Sequence, residues 1–214
     1  MTDGLGLGDA YDATMGRING QGGEKARLGM AALMWISHSE RPLKADELCH
    51  ALGVRIGSAE LDVDNVPSIG TLLACCQGHV SVDKGASTVR LIHFTVQEYI
   101  RAHPEFFGSA HSTIAETCLS YLNLQQVRAL PAGPLNLQNA PFLEYSSLYW
   151  GVHAKRNSSG SAKSLVMKLF DCTNHIFTEI MLKEQEWYRY MVHFDLLTHL
   201  VVRTVHPSSG LLRL

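Results

Sequence analysis

Hydrophobic positions recur every three to four residues through most of the first 78 positions, so this part of the chain reads as helical. Tyr11 to Ile18 is a short helical pattern, closed by the breaker cluster Asn19-Gly20-Gln21-Gly22-Gly23. From Glu24 to His38, the residues Leu28, Ala31, Ala32, Trp35 and Ile36 share one face, and Pro42 stops the run. Asp46 to Leu52 is a third helix with Leu48, Ala51 and Leu52 inward and Gly53 expected as its C-cap. Pro67-Ser68 opens a fourth, in which Ile69, Leu72, Leu73 and Cys76 fall on one side; Gly78 ends it.

The period then changes to two. His79 to Asp83 alternates as a strand, Lys84-Gly85-Ala86-Ser87 is a hairpin loop, and Thr88 to Phe94 is the return strand. That strand runs directly into a helix. Thr95 and Glu98 have the spacing of a capping box, and Phe94 and Tyr99 that of a hydrophobic staple. Helices, a β-hairpin and a helix follow one another in the order of a winged-helix domain, placed at residues 10–107 behind a leader at 1–9. The helices from Glu24, Asp46 and Ser68 would form its core and the hairpin its wing.

An all-helical linker region is expected over residues 108–190. Thr113 and Glu116 have capping-box spacing, ahead of the stripe Ala115, Cys118, Leu119 and Leu122. Leu130 to Ala140 is a loop. Pro141 stands at a helix start, with Phe142, Tyr145, Leu148, Tyr149 and Val152 inward. Arg156 to Ser161 is a break, Leu165 to Met181 a further helix, and a helical pattern runs after Tyr190 through Val202 within an unassigned tail at 191–214. The fold class expected is mainly α: a winged-helix domain with a two-stranded wing, followed by helices.

Composition narrows the functions. With 46% apolar and 18% charged residues the 214-residue chain is globular, and a net charge of −2 gives no electrostatic reason to bind nucleic acid or an anionic membrane. No apolar run approaches the ~20 residues that span a bilayer. Met1 to Gly8 lacks the basic and apolar parts of a signal peptide. The five cysteines (Cys49, Cys75, Cys76, Cys118, Cys172) are odd in number and lie mostly on apolar faces, which suits reduced thiols in the cytoplasm.

Catalytic signatures are missing. Gly4-Leu5-Gly6-Leu7-Gly8 fits no phosphate-binding loop, and no Walker A lysine, G-x-S-x-G or H-E-x-x-H motif occurs. The eleven histidines offer no metal-ligand spacing. The expectation is therefore a protein that is not an enzyme, with no cofactor and no metal. Nucleic acid is disfavoured as well: Ser68 to Gln77, the helix that would enter a DNA groove, has no arginine or lysine, and the wing adds only Lys84 and Arg90. His93 remains, at the strand-to-helix corner. It is either a half-buried imidazole bonded to a neighbouring carbonyl, or a donor presented to an anion held by another domain.

Several segments together bear on that choice. Leu7 to Ile18, Ala32 to Ser37, Arg41 to Leu52, Val89 to Tyr99 and Tyr149 to Ala154 resemble the region following the nucleotide-binding core in fungal-type NACHT–ankyrin proteins of the STAND signalling NTPase class. That region includes a winged helix of the type named after the GPI inositol-deacylase. The resemblance implies a regulatory and interaction module that packs on a NACHT core in its ADP or ATP state and leads into an ankyrin or other repeat domain. It implies that His93, matching the histidine of an M-H-D-like motif found in many members, donates to the β-phosphate of bound ADP and holds a closed state; Phe94, Thr95, Glu98 and Tyr99, through the staple and capping-box spacings above, would support the corner. Ile92-His93-Phe94 departs from the motif at its acidic position, and Lys44 stands where a threonine-like N-cap is expected. Two alternatives stand beside this reading: a degenerate or truncated fragment without activity, and a winged-helix DNA-binding protein.

Overall fold

Helix α1 (Leu7–Gly20) passes into α2 (Gly23–His38) through a turn in which Gly22 and Gly23 take φ of 71° and 52°, a left-handed backbone that only glycine adopts without strain. The computed structural model describes residues 6–130, 139–157 and 159–170. α1 is longer than its apolar pattern at both ends and begins inside the expected leader. α2 buries Leu28, Ala32 and Trp35 of the expected face and Leu33 besides, while Ala31 and Ile36 are half-buried.

Helix α3 (Ala45–Gly53) ends on Val54, an extended residue. Gly53 is thus not a left-handed cap. A β-carbon there would stand 2.7 Å from Cγ2 of Val66, so glycine is needed because the following loop crosses against it. Lys44 precedes α3 and caps nothing with its own side chain; instead its backbone N–H donates to Oε2 of Glu47 at 2.8 Å. After one 3-10 turn at Val63–Asn65, Ser68 accepts from the Thr71 N–H and starts α4 (Ile69–Cys75).

Gln77 (φ 47°) and Gly78 (φ 81°) turn the chain into β1 (Val80–Val82), which pairs antiparallel with β2 (Val89–Leu91) so that Val80 opposes Leu91. The loop between them is fixed by Asp83, whose carboxylate accepts the N–H groups of Gly85 and Ala86. Both strands are shorter than the alternation suggested. The segment ahead of α3 covers the other edge of β2: the Val89 N–H donates to the Leu43 carbonyl, and the Ala45 N–H to that of Ser87. Helix α5 (Phe94–Ala102) follows β2 after two residues.

The later helices are α6 (Ala110–Leu122), α7 (Gln125–Arg128), α8 (Leu143–Arg156) and α9 (Gly160–Phe170). The capping box expected at Thr113 and Glu116 does not form, because α6 already starts at Ala110 and Thr113 lies inside it. Glu116 instead accepts from the hydroxyls of Ser112 and Ser159, tying α6 to the start of α9. On α8 the buried face is rotated from the expected one: Leu148, Tyr149 and Val152 are half-buried, whereas Trp150 and His153 are enclosed. The helix read from Leu165 starts earlier, at Gly160. Its continuation beyond Phe170, and the pattern after Tyr190 through Val202, lie outside the described residues.

One hydrophobic cluster runs from Met15 through Leu72, Val89 and Ile100 to Leu119, Trp150 and Leu169. α6 lies between α8 and α9 on one side and α2 and α3 on the other. Trp35 of α2 meets Phe142 and Tyr145 edge-on at centroid distances of 5.5 and 6.2 Å. The architecture is a winged helix with a two-stranded wing, followed by helices.

Candidate functional site

The corner after the wing is made by a change of backbone. β2 alternates buried Val89, exposed Arg90 and buried Leu91, and then leaves the sheet. Ile92 still donates its N–H to the His79 carbonyl, 3.0 Å away, which holds the corner against the start of β1. His93 (φ −121°, ψ 125°) is the N-cap residue of α5, and its carbonyl accepts the N–H of Val96 at 3.2 Å.

The helix therefore begins one residue ahead of the expected cap. The Thr95–Glu98 capping box does not form, because Thr95 is already in the first turn and its hydroxyl is hydrogen-bonded to that of Tyr11 on α1. Glu98 is exposed. Nor does the staple form: Phe94 is 72% exposed, while Tyr99 turns to α1, donating to Oδ1 of Asp12 at 2.6 Å and packing its ring 5.2 Å from that of Tyr11. That hydrogen bond, chiefly, pushes the Tyr99 hydroxyl up to about 12. Support of the corner by α1, across more than eighty residues, is invisible to local spacing.

His93 itself is exposed, and its imidazole has no hydrogen-bond partner among the described residues. The half-buried imidazole bonded to a carbonyl is not what is observed. Two basic side chains that the sequence did not single out, His79 and Arg17, share its surroundings. His79 is half-buried, and burial first, then the charges of Arg17 and His93, hold its pKa below the ordinary histidine value. Arg17 is exposed on the last turn of α1. The pairing of Ile92 with His79 was the signal that could have joined them. Flanking His93 are the exposed apolar side chains of Ile92 (50%) and Phe94 (72%).

The face that a DNA-binding winged helix would use is different in character. The exposed positions of α4 are Gly70, Thr71 and Ala74. On the wing Arg90 is paired with Asp83, which leaves Lys84 as its sole unneutralised charge. The four described cysteines are buried thiols, and desolvation pushes Cys49 up to about 11 and Cys76 up to about 12, far from a reactive thiolate. No helix among the described residues is long and apolar enough to cross a membrane.

No curated protein and no solved structure gives a significant match to this chain. Residues 17–116, a stretch that runs from the last turn of α1 through the wing and the His93 corner into α6, match the family model described as the GPI inositol-deacylase winged helix domain.

Proposed function

We propose that this chain is a non-enzymatic regulatory module that packs on the NACHT nucleotide-binding core of a STAND-type signalling NTPase, with His93 reading the phosphate of bound ADP. The observation that carries the reading is an exposed imidazole without a hydrogen-bond partner among the described residues, set at the wing-to-helix corner of a segment matching this winged-helix family. Arg17, whose charge acts on the same His79 as that of His93, makes these surroundings positive, which favours an anion. Ile92 and Phe94 offer apolar surface on either side of it, suited to burial against a partner.

A hydrogen bond from the imidazole to a phosphate oxygen is worth roughly 1.5–3 kcal/mol when charge-assisted. Because about 1.4 kcal/mol is a factor of ten, such a bond biases a closed, ADP-bound state over an open one by tenfold or more. Phe94 occupies the position where the related motif has an acid, so the phosphate contact would rest on His93 without that carboxylate.

The test is binding of this chain to the NACHT domain of a close full-length relative, in ADP and in a non-hydrolysable ATP analogue. ADP-favoured binding that weakens about tenfold in His93→Ala supports the module. Equal or absent binding in both nucleotides leaves a folded remnant instead.

A further inference from the structure

A second concentration of positive charge lies at the other end of α5, about 12 Å along the helix from His93 at ~1.5 Å per residue. There the C-terminal ends of α2, α5 and α8 and the N-terminal end of α6 enclose a cavity of about 590 Å³. Arg101 and His103 enter from α5 and the residue after it, His38 from α2, His111 from α6 and Arg156 from α8. The wall contains one carboxylate, Glu40, which is already bonded to Arg156, with Nη2 to Oε2 at 3.1 Å.

The hydrogen bonds set which way these groups face. Arg101 donates Nε–H to the Ser37 carbonyl at 2.7 Å, which anchors the guanidinium while its two terminal nitrogens have no partner among the described residues. His38 bonds the Met34 carbonyl through Nδ1 (3.0 Å), and His103 bonds the Tyr99 carbonyl through Nδ1 (2.8 Å). A carbonyl only accepts, so in both rings Nδ1 carries the proton and Nε2 is left for another contact. His111 Nδ1 stands 2.8 Å from Nδ1 of His153, whose Nε2 is 2.9 Å from the Tyr145 hydroxyl. With Tyr145 donating to His153 and His153 to His111, the neutral His111 carries its proton on Nε2.

We propose that this cavity binds a small phosphate-class oxyanion through Arg101, His38 and His111. Arg101 and the neutral His111 offer N–H donors from two helices, and His38, whose Nδ1–H is held by Met34, becomes a third when it takes up a proton at Nε2, which a bound anion promotes; donors from three sides suit the oxygens of a tetrahedral anion better than the two of a planar carboxylate. Arg101 and Arg156 also lower the proton affinity of His38 and His111, after burial, so the cluster holds more positive charge than Glu40 offsets. An anion relieves that excess. The first turn of α6 also borders this space through Ala110 and His111, and Ser109 makes no side-chain cap there.

The imidazole ¹H–¹⁵N spectrum of this chain, titrated with inorganic phosphate and with pyrophosphate while chloride holds ionic strength constant, tests the site. Saturable binding with a dissociation constant of about 10 mM or tighter is expected, with His38 and His111 titrating at higher pH in the bound state. Arg101→Gln and, separately, His38→Gln should each weaken pyrophosphate binding about tenfold, while Arg90→Gln on the wing leaves it unchanged. Thermal melts of the variants confirm that they are folded. Shifts that follow ionic strength alone, or binding that both cavity variants retain in full, overturn the proposal.

Discussion

The hydroxyl of Tyr145 lies 2.9 Å from Nε2 of His153, and both side chains are wholly buried on the inner face of α8. The ring of His153 is thereby bonded at both nitrogens, to Tyr145 and to His111, in a site with no carboxylate bonded to it. Burial first, then the charges of His111, Arg156 and His38, push its pKa down to about 3. It is neutral in the folded protein and takes up a proton on unfolding at any pH below the ordinary value of 6.5. Stability is therefore complete above about pH 6.5 and falls as pH drops from there toward 3. From pH 7 to pH 5 this one residue accounts for a loss of about 2 kcal/mol. His38, His50, His79 and His111 are lowered as well and act in the same direction. Urea midpoints measured across this range should decline steadily, and His153→Gln should be less stable at pH 7 but show a shallower decline.

Glu47 is the most buried carboxylate described, 1% exposed, and the Arg41 guanidinium forks onto both its oxygens at 2.7 and 2.8 Å. The same carboxylate accepts the Lys44 N–H and so starts α3. Removing one partner of a buried pair leaves the other charge uncompensated. Arg41 is a quarter exposed and has Glu144 at 3.8 Å as a second partner, which moderates the penalty. Glu47→Gln is expected to cost about 2–3 kcal/mol of unfolding free energy. Glu47→Ala, which also loses the cap, should cost about 1 kcal/mol more by chemical denaturation.

Gly29 sits in the middle of α2, where glycine is about 1 kcal/mol worse than alanine. Its purpose is contact: a β-carbon there would fall 2.7 Å from both the Cys75 carbonyl oxygen and Cγ2 of Ile18. The carbonyl belongs to the backbone at the end of α4 and cannot swing away. Gly29→Ala should therefore destabilise by about 1–3 kcal/mol despite its better helix propensity. Gly151, in the middle of α8, has nothing within 4 Å of the same position. Gly151→Ala should raise stability by about 0.5–1 kcal/mol, and the pair of melts separates packing from propensity.

What the sequence made legible follows from where each constraint is stored. Leu28, Ala32, Leu72 and Val89 declare their buried faces through periodicity, because each helix or strand must place its own apolar stripe on the core. The order of helices and hairpin then fixed the winged helix. The corner was legible as a corner, but not in its detail. Thr95 bonds Tyr11 rather than capping α5, and a partner on another helix leaves no mark at local spacing. The same holds for Gly29 and Gly53, whose neighbours Cys75 and Val66 are met only after folding. His153 was unread because polar residues at helical spacing look like surface until the rings that satisfy them are in place.

Tyr99 offers a direct readout of how α1 holds the His93 corner. Its hydroxyl donates to Asp12, and the ionised phenolate would face that carboxylate at hydrogen-bond distance. The hydrogen bond to Asp12, then desolvation and the charges of Asp12, Glu105 and Asp9, push its pKa up to about 12. Asp12→Asn removes the charge and keeps the shape, so the pKa should fall back toward the ordinary value near 10, visible as an earlier step at 295 nm in a spectrophotometric titration. The control is Tyr99→Phe, which deletes the transition near pH 12. If Asp12→Asn leaves the curve unchanged, α1 is not held to α5 through this pair, and its hold on the corner must rest on the Tyr11–Thr95 hydrogen bond and the Tyr11–Tyr99 ring contact.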